Sequence, residues 1–552
     1  MEFPHLLSTN HVPLEAESRH ICALIETAED EQNRVRQELE ETRAKERSLV
    51  ERDNVLAERI RSLKAIVSAT RRTPPEILSN IFLLATRTAA GQADDSELED
   101  GVDLDEDWIS KLTPESTNAH AFLRMSQICS RWREVAQTTP LLWRKLCVNL
   151  GRYRGLQLEA DGVVSLILHF AQLSQPYGLS LAFRSDQDYT RGMPLAVLWT
   201  CGHQLSSLEL NVPGNGLAPL IGLPAYTLRK LKRLEITLFD STDSGLSGSI
   251  PGLSSAERLE DLKLVLCSIN SIDRFLPTTG STSWSTLRIL DIHCHGGLSL
   301  ASVYSSLQSC HSLQQLALRM VELYDFESES SQLKRVLNFE HLTSFTLEVE
   351  YDNDDSDQMK PFITALFAPQ LSALSLKGCF RMETVTEFLK HSNNPPISTL
   401  RLSSVVSGII NPRAVLLNVL RTVPLVETLA LGLELSPGVD DAFLRALTLQ
   451  PGTTGTGIST AEVLLPAMRT LVIADSEGAL TAGAVADMVE SRRIHTGNLN
   501  AGTAGTLPGR CLESMTINVL RVRRVWMRDA AWPRITALES AGILHLSSSS
   551  DA

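Results

Sequence analysis

The stretch LEDLKL at residues 259–264 carries leucine at its first, fourth and sixth positions, and this spacing returns along more than half of the chain. Before it lie LSSLEL (205–210) and LKRLEI (231–236). After it come LRILDI (287–292), LQQLAL (313–318), LTSFTL (342–347), LSALSL (371–376), ISTLRL (397–402), VETLAL (426–431), MRTLVI (468–473) and LESMTI (512–517). Successive starts differ by 26, 28, 28, 26, 29, 29, 26 and 29 residues, and then by 42 and 44, where the Gly/Thr-rich PGTTGTG and NAGTAGTLPG lengthen the unit. Eleven occurrences in phase exclude chance.

Side chains alternate faces along a strand, so the closing LxL of each motif puts its apolar residues on one side and the intervening residues on the other. A period of 26–29 with this spacing is the signature of leucine-rich repeats, in which a unit unable to bury its leucines alone stacks on its neighbours. The expected fold class is an α/β solenoid, a horseshoe over residues 148–552 whose concave face is lined by strands. Three residues beyond the last apolar position, Cys267, Cys379 and His295 fall in the turn after the strand. The HCH run at 293–295 is thus expected to be strand exit plus turn, not a metal site, since neighbours on a strand point to opposite faces. The residues facing solvent on the first five of these strands are Ser207, Glu209, Arg233, Glu235, Asp261, Lys263, Asp291, His293, Gln315 and Arg319. From the seventh motif onward the equivalent positions are mostly Ala, Ser, Thr and Gly, so the expected substrate-binding residues are Arg233, Glu235, Asp261, Lys263, Asp291, His293 and Arg319. Charges of both signs on a rigid sheet give oriented recognition.

A chain of 552 residues is more than one domain, and aromatic residues at 5% against 43% hydrophobic leave aliphatic side chains to fill the core. The net charge of −14, from 65 acidic and 51 basic residues, disfavours a nucleic-acid backbone or an anionic membrane surface as partner. The basic run LRVRRVWMR (520–528) is expected to supply the last strand and cap of the array. MEFPHLLSTN at the start has no basic or apolar region of a signal peptide, and runs such as VVSLILHFA are far short of a membrane span. The chain is expected to be intracellular, in cytoplasm or nucleus. Nine cysteines with no CxxC suggest reduced thiols. Signatures for nucleotide-binding loops, nucleophile elbows and zinc proteases are absent, so no enzyme, cofactor or metal is expected.

Residues 1–13 are expected to be a flexible tail, followed at 14–72 by a helix, since that stretch contains no glycine or proline. Two series seven residues apart make a heptad seam there: Ile21, Ala28, Val35, Thr42, Leu49, Leu56, Leu63 and Ile25, Gln32, Leu39, Glu46, Asp53, Ile60, Val67. Self-association through this coiled-coil-like helix is a possibility beside simple packing on the chain's own body.

Residues 73–147 follow, interrupted at about 86–120 by an insertion whose core, DDSELEDGVDLDED (94–107), has nine acidic and no basic side chains. Such charge density predicts a solvated loop. Pro75 opens a helix with an apolar stripe of Ile77, Leu78, Ile81, Phe82 and Ala85, and a second helix is expected to align Met125, Ile128, Cys129, Trp132, Val135 and Ala136. The pieces PPEILSNIF, ICSRWREVA and PLLW, in that order, resemble the F-box, with Thr73 and Pro74 where the family has its leading leucine. Preceding helix, interrupted F-box and trailing repeats are together similar to the F-box-like families expanded in mushroom-forming fungi. The resemblance implies a substrate receptor of a cullin-RING ubiquitin ligase, docked on the small adaptor subunit and through it on the cullin, with a protein substrate on the repeats. Carried over by position, the adaptor-binding residues are Pro75, Ile77, Leu78, Ile81, Phe82, Ile128, Cys129, Trp132, Leu142 and Trp143, some of which belong to the domain's own core. The alternative is a protein-binding scaffold or sensor without ligase function.

Overall fold

The computed structural model describes residues 12–90, 125–149, 160–184, 197–224, 226–238, 250, 253, 256–266, 275, 284–298, 300–323, 336–350, 359–378, 380–404, 412–432, 438–449, 464–474, 480–494, 512–518 and 526–547. Most of the N-terminal tail, the acidic insertion, both Gly/Thr-rich insertions, Cys267 and Cys379 lie outside them. Two compact units divide the chain, residues 1–80 and 81–552.

The first unit contains one long helix, α1 (Glu15–Ile66), 52 residues and so about 78 Å at 1.5 Å per residue. Its start is favoured by Glu15 and Glu17 in the first turn and by a backbone N–H of Leu14 donated to the Glu17 carboxylate at 2.9 Å. Along its length Arg43 pairs with Glu40 at 3.1 Å, Arg61 with Glu58, and Gln37 bonds to Glu41 at 3.2 Å. Each such pair adds only a few tenths of a kcal/mol. None of the helix's residues is buried. A second helix, α2 (Pro75–Ala90), opens on proline, whose missing N–H costs nothing at a helix start.

In the second unit fourteen strands form one sheet, every described pair of them parallel, in the order β1 (Lys145–Asn149), β2 (Leu179–Arg184), β3 (Leu205–Val212), β4 (Arg233–Leu238), β5 (Asp261–Leu266), β6 (Ile289–Leu298), β7 (Gln315–Leu323), β9 (Ser344–Val349), β11 (Ala373–Gly378), β12 (Thr399–Ser404), β13 (Thr428–Leu431), β14 (Thr470–Ala474), β15 (Ser514–Asn518) and β16 (Leu544–Ser547). The two-residue strands β8 (Leu337–Asn338) and β10 (Leu366–Phe367) pair separately. All eleven sequence motifs become strands, and equivalent positions align: Leu262 with Leu290, Leu290 with Leu316, Leu316 with Phe345, Phe345 with Leu374 and Leu374 with Leu400. Burial alternates strictly on β4, β5 and β9, the leucines of each LxL lying on the covered face.

A second periodic device holds the rungs together. The residue after each motif's first apolar position donates its backbone N–H to the carbonyl of its counterpart in the preceding motif: Lys232 to Ser206 (2.9 Å), Glu260 to Lys232 (2.8 Å), Arg288 to Glu260 (2.8 Å), Gln314 to Arg288 (2.8 Å), and so on to Glu513 on Arg469 (2.8 Å). Thr286, Thr343, Ser372 and Ser398 add hydroxyl bonds to preceding-rung carbonyls at 2.9–3.1 Å. The N–H and carbonyl of this one position are thereby used between neighbouring motifs.

The structure departs from the sequence expectations in three places. β1, β2 and β16 extend the sheet beyond the eleven motifs, because short alternating stretches suffice once a neighbouring strand templates them. His295 is not in a turn: β6 continues to Leu298, and a register shift between Cys294 and Gly297 takes up the extra residue. A further strand, β16, follows the basic run, whose residues 520–525 lie outside the described ones; Trp526 is buried and its Nε1–H donates to the Leu480 carbonyl at 2.9 Å.

Toward the C-terminus the connections become helices: α5 (Met382–His391) packs on α6 (Pro412–Thr422), α7 (Asp441–Leu447) on α8 (Ala482–Ile494), and α8 on α9 (Trp532–Ser540), numbered after α3 and α4 below. Arg492 is buried at the end of α8, where its guanidinium donates to the carbonyls of Leu447 (2.9 Å), Leu464 (2.8 Å) and Leu465 (2.9 Å). Burial pulls its pKa down to about 10, leaving it charged at neutral pH.

Leu347 in the middle of β9 is fully buried. Leu347→Ala is expected to cost about 2–5 kcal/mol, through lost apolar burial and the cavity left between rungs. Chemical denaturation followed by circular dichroism measures this.

Candidate functional site

Two regions carry the sequence-derived site residues, and the first begins on α2. Ile77 and Leu78 belong to the first unit, and Ile81 and everything after it to the second. Leu78 and Phe82 are buried at 2% and 0% exposure, while Ile77 and Ile81 are 50% and 48% exposed. Ile77, Ile81 and the exposed Leu84 are four and three residues apart, which places them on one face of the helix.

The second helical piece is not continuous. Residues 125–128 are helical, Cys129 has extended backbone (φ −158°, ψ 167°), and α3 (Ser130–Gln137) starts after it. The break corrects the expectation of one apolar face from Met125 to Ala136: Ile128 is 62% exposed and Cys129 is exposed, whereas Val135 and Ala136 are buried. Arg133 spans the break by donating Nε–H to the Ser126 carbonyl at 3.1 Å. Trp132, partly exposed, stacks at a tilt on Phe82 with ring centroids 5.0 Å apart.

A 3-10 turn over Pro140–Trp143 closes the segment. Trp143 is 1% exposed, and its Nε1–H donates to the Ala136 carbonyl at 2.7 Å, satisfying a carbonyl at the end of α3. Its ring meets Phe170 of α4 (Ala160–Leu173) edge-on at 5.1 Å and His169 at 5.4 Å. Chain direction then carries Lys145–Asn149 into the sheet as β1, paired with β2. One tryptophan therefore joins the helical segment to the sheet. Of the ten residues carried over as adaptor-binding, Leu78, Phe82, Leu142 and Trp143 are buried, Trp132 is partly exposed, and Pro75, Ile77, Ile81, Ile128 and Cys129 are exposed.

The second region is the sheet face opposite the buried leucines. Arg233, Glu235, Asp261, Lys263, Asp291, His293 and Arg319 all lie there on four adjacent strands, β4 to β7. They pair with one another: Arg233 with Glu235 (3.4 Å) and Asp261 (3.5 Å), Lys263 with Glu235 (3.1 Å), Arg319 with Asp291 (3.0 Å). Two further pairs, Arg184–Glu209 at 2.7 Å and Arg319–Glu348 at 3.5 Å, extend the array to β2 and β9. Arg184 and Glu348 are not among the residues the sequence singles out, the first because β2 lacks the full motif and the second because it follows the sixth motif, beyond the five whose exposed positions are charged. The face is a mosaic in which neighbouring charges already neutralise one another. Desolvation, against the nearby Arg233, raises the Asp261 carboxyl above its ordinary value.

His293 sits at the centre of this mosaic, its ring 4.4 Å from that of His295. Burial first, then His295, Arg319 and Lys263, push its pKa down to about 4, so the ring is neutral at physiological pH. Among the described residues no group of three or more His, Cys, Asp or Glu side chains could hold a metal ion, and no helix is long and apolar enough to cross a membrane.

Two predictions follow from these geometries. Trp143→Phe keeps the ring contacts but removes the indole donor, while the Ala136 carbonyl still accepts from the Thr139 N–H at 3.2 Å, so stability is expected to fall by about 0.5–1.5 kcal/mol in a denaturant titration. For His293 the unfolded chain binds the proton near pH 6.5 and the folded chain only near 4, so stability falls as pH drops through that window, on the order of 2–3 kcal/mol in all. The pH dependence of Tm between 6.5 and 4 should therefore be shallower in His293→Gln than in the native chain.

Residues 73–149 match the family model described as F-box-like. A comparison with curated proteins gave no match. The matched segment covers α2, the interrupted second helix, the Trp143 turn and β1. The chain carries an F-box-like domain at residues 73–149.

Proposed function

We propose that this chain is a substrate-recognition subunit of a cullin-RING ubiquitin ligase. The observation that carries the proposal is the F-box-like match at 73–149, in which Ile77, Ile81 and Ile128 are left about half or more exposed while the residues beside them form the core. An apolar side chain held outward on a rigid helix gains free energy from burial against a partner, about 1.5–3 kcal/mol when covered completely. The partner is the small adaptor subunit, which in turn binds the cullin.

The remainder of the chain, on this reading, is a leucine-rich-repeat horseshoe that holds a protein substrate on its strand-lined face. Its charge mosaic from Arg184 to Glu348 supports a partner bearing both signs of charge, because a partner of one sign would meet as many repelling as attracting groups. Binding alone is the chain's task; catalysis belongs to other subunits of the ligase.

Co-purification of the full chain with its adaptor is the test. The native chain is expected to retain the adaptor, and Ile77→Asp with Ile81→Asp to lose it at unchanged Tm, since both side chains are exposed. A native chain that retains no adaptor would leave the scaffold function in its place.

A further inference from the structure

The 52-residue helix α1 buries no side chain, yet Leu39, Leu49, Leu56, Ile60 and Leu63 recur along it at heptad spacing and are about half exposed. We propose that α1 pairs with α1 of a second copy of the chain as an antiparallel two-stranded coiled coil centred near Ala44.

The heptad seam running from Ile21 to Val67 is interrupted by charge at two points, Glu46 and Asp53. Parallel pairing in register sets each seam residue beside itself, so Glu46 would face Glu46 and Asp53 would face Asp53 across a partly dry interface. Antiparallel pairing with full overlap mixes the two series. Glu46 then lies beside Thr42 of the second copy, Asp53 beside Val35, and the strongest layer sets Leu39 against Leu49. The carboxylates are separated, and the ends meet as Ile21 on Val67.

The edges of the seam show the same polarity. On one edge the N-terminal half carries Glu31 and Glu38, and the C-terminal half carries Arg52 and Arg59, all exposed. Reversing one helix brings Glu31 opposite Arg59 and Glu38 opposite Arg52, twice over in the symmetric pair. Parallel helices would keep Glu31 against Arg36 and Glu38 against Arg43 but set Arg59 against Lys64, so the seam carboxylates Glu46 and Asp53 decide for the reversed pair. Apart from Lys45, which meets its own copy at the exposed centre of this edge, acid at one end and base at the other is charge complementarity of the helix with its own reversed copy. This proposal is independent of the ligase reading.

Light scattering on the eluting full chain tests it. The native chain is expected at twice 60.7 kDa. Glu31→Arg with Glu38→Arg should give a monomer, as should Arg52→Glu with Arg59→Glu, because each opposes like charges along the edge. Combining all four exchanges the ends and should restore the dimer. In a parallel pair the combined variant would still set the new arginines against Arg36 and Arg43, and would stay apart. A monomeric native chain, a dimer that survives both double variants, or a combined variant that stays monomeric overturns the proposal. Circular dichroism at equal helicity confirms that these exposed exchanges act on pairing.

Discussion

A strand of six residues with leucine at alternate positions cannot cover those leucines from within its own unit. The sheet of the described strands follows from that constraint: the covered face of each strand is completed by the strands on either side, so strand adds to strand and the sheet grows in one dimension. Burial of the central leucines is nearly total, with Leu262, Leu318, Leu347 and Leu429 all at 0% exposure. The backbone ladder from Ser206 to Glu513 runs beside it and fixes the register, because each carbonyl at the turn accepts from the next rung. A one-residue slip would break both devices together.

Aromatic side chains are few, and the structure uses them as joints. Trp143 closes the F-box-like domain on the carbonyl of Ala136 and, through Phe170, fastens it to the start of the sheet. Trp526 does the corresponding task near the other end by donating to Leu480. The family match and the sheet overlap at β1, so within the second unit the F-box-like segment and the repeats share a strand and are not strung on a linker.

Electrostatics sharpen the picture of the sheet face. Its charges are arranged in chains of alternating sign, Arg233 between Glu235 and Asp261, Arg319 between Asp291 and Glu348. Such pairs are partly solvated and contribute little to stability, but they hold long side chains in defined positions. The neutral His293 places an uncharged hydrogen-bonding group at the centre of this face.

The sequence by itself determined the eleven strands, their common inward face and the long N-terminal helix, because hydrophobic periodicity is a local signal set by backbone geometry. It also determined the F-box-like segment, whose order of Pro-Glu-Ile-Leu, Cys-xx-Trp and Leu-Trp needs no third dimension to be read. Only the tertiary structure decided which of those residues face outward. Leu78 and Ile77 are adjacent in sequence and equally apolar, yet one is buried and the other half exposed, since burial depends on what the rest of the chain brings to each side of a helix. The break at Cys129 was hidden for the same reason: the residues on either side suit a helix, and the extended backbone there is bridged only in space, by Arg133 donating to the Ser126 carbonyl. β1, β2 and β16 were likewise beyond the motif, because a short alternating stretch becomes a strand only where a neighbouring edge supplies its hydrogen bonds.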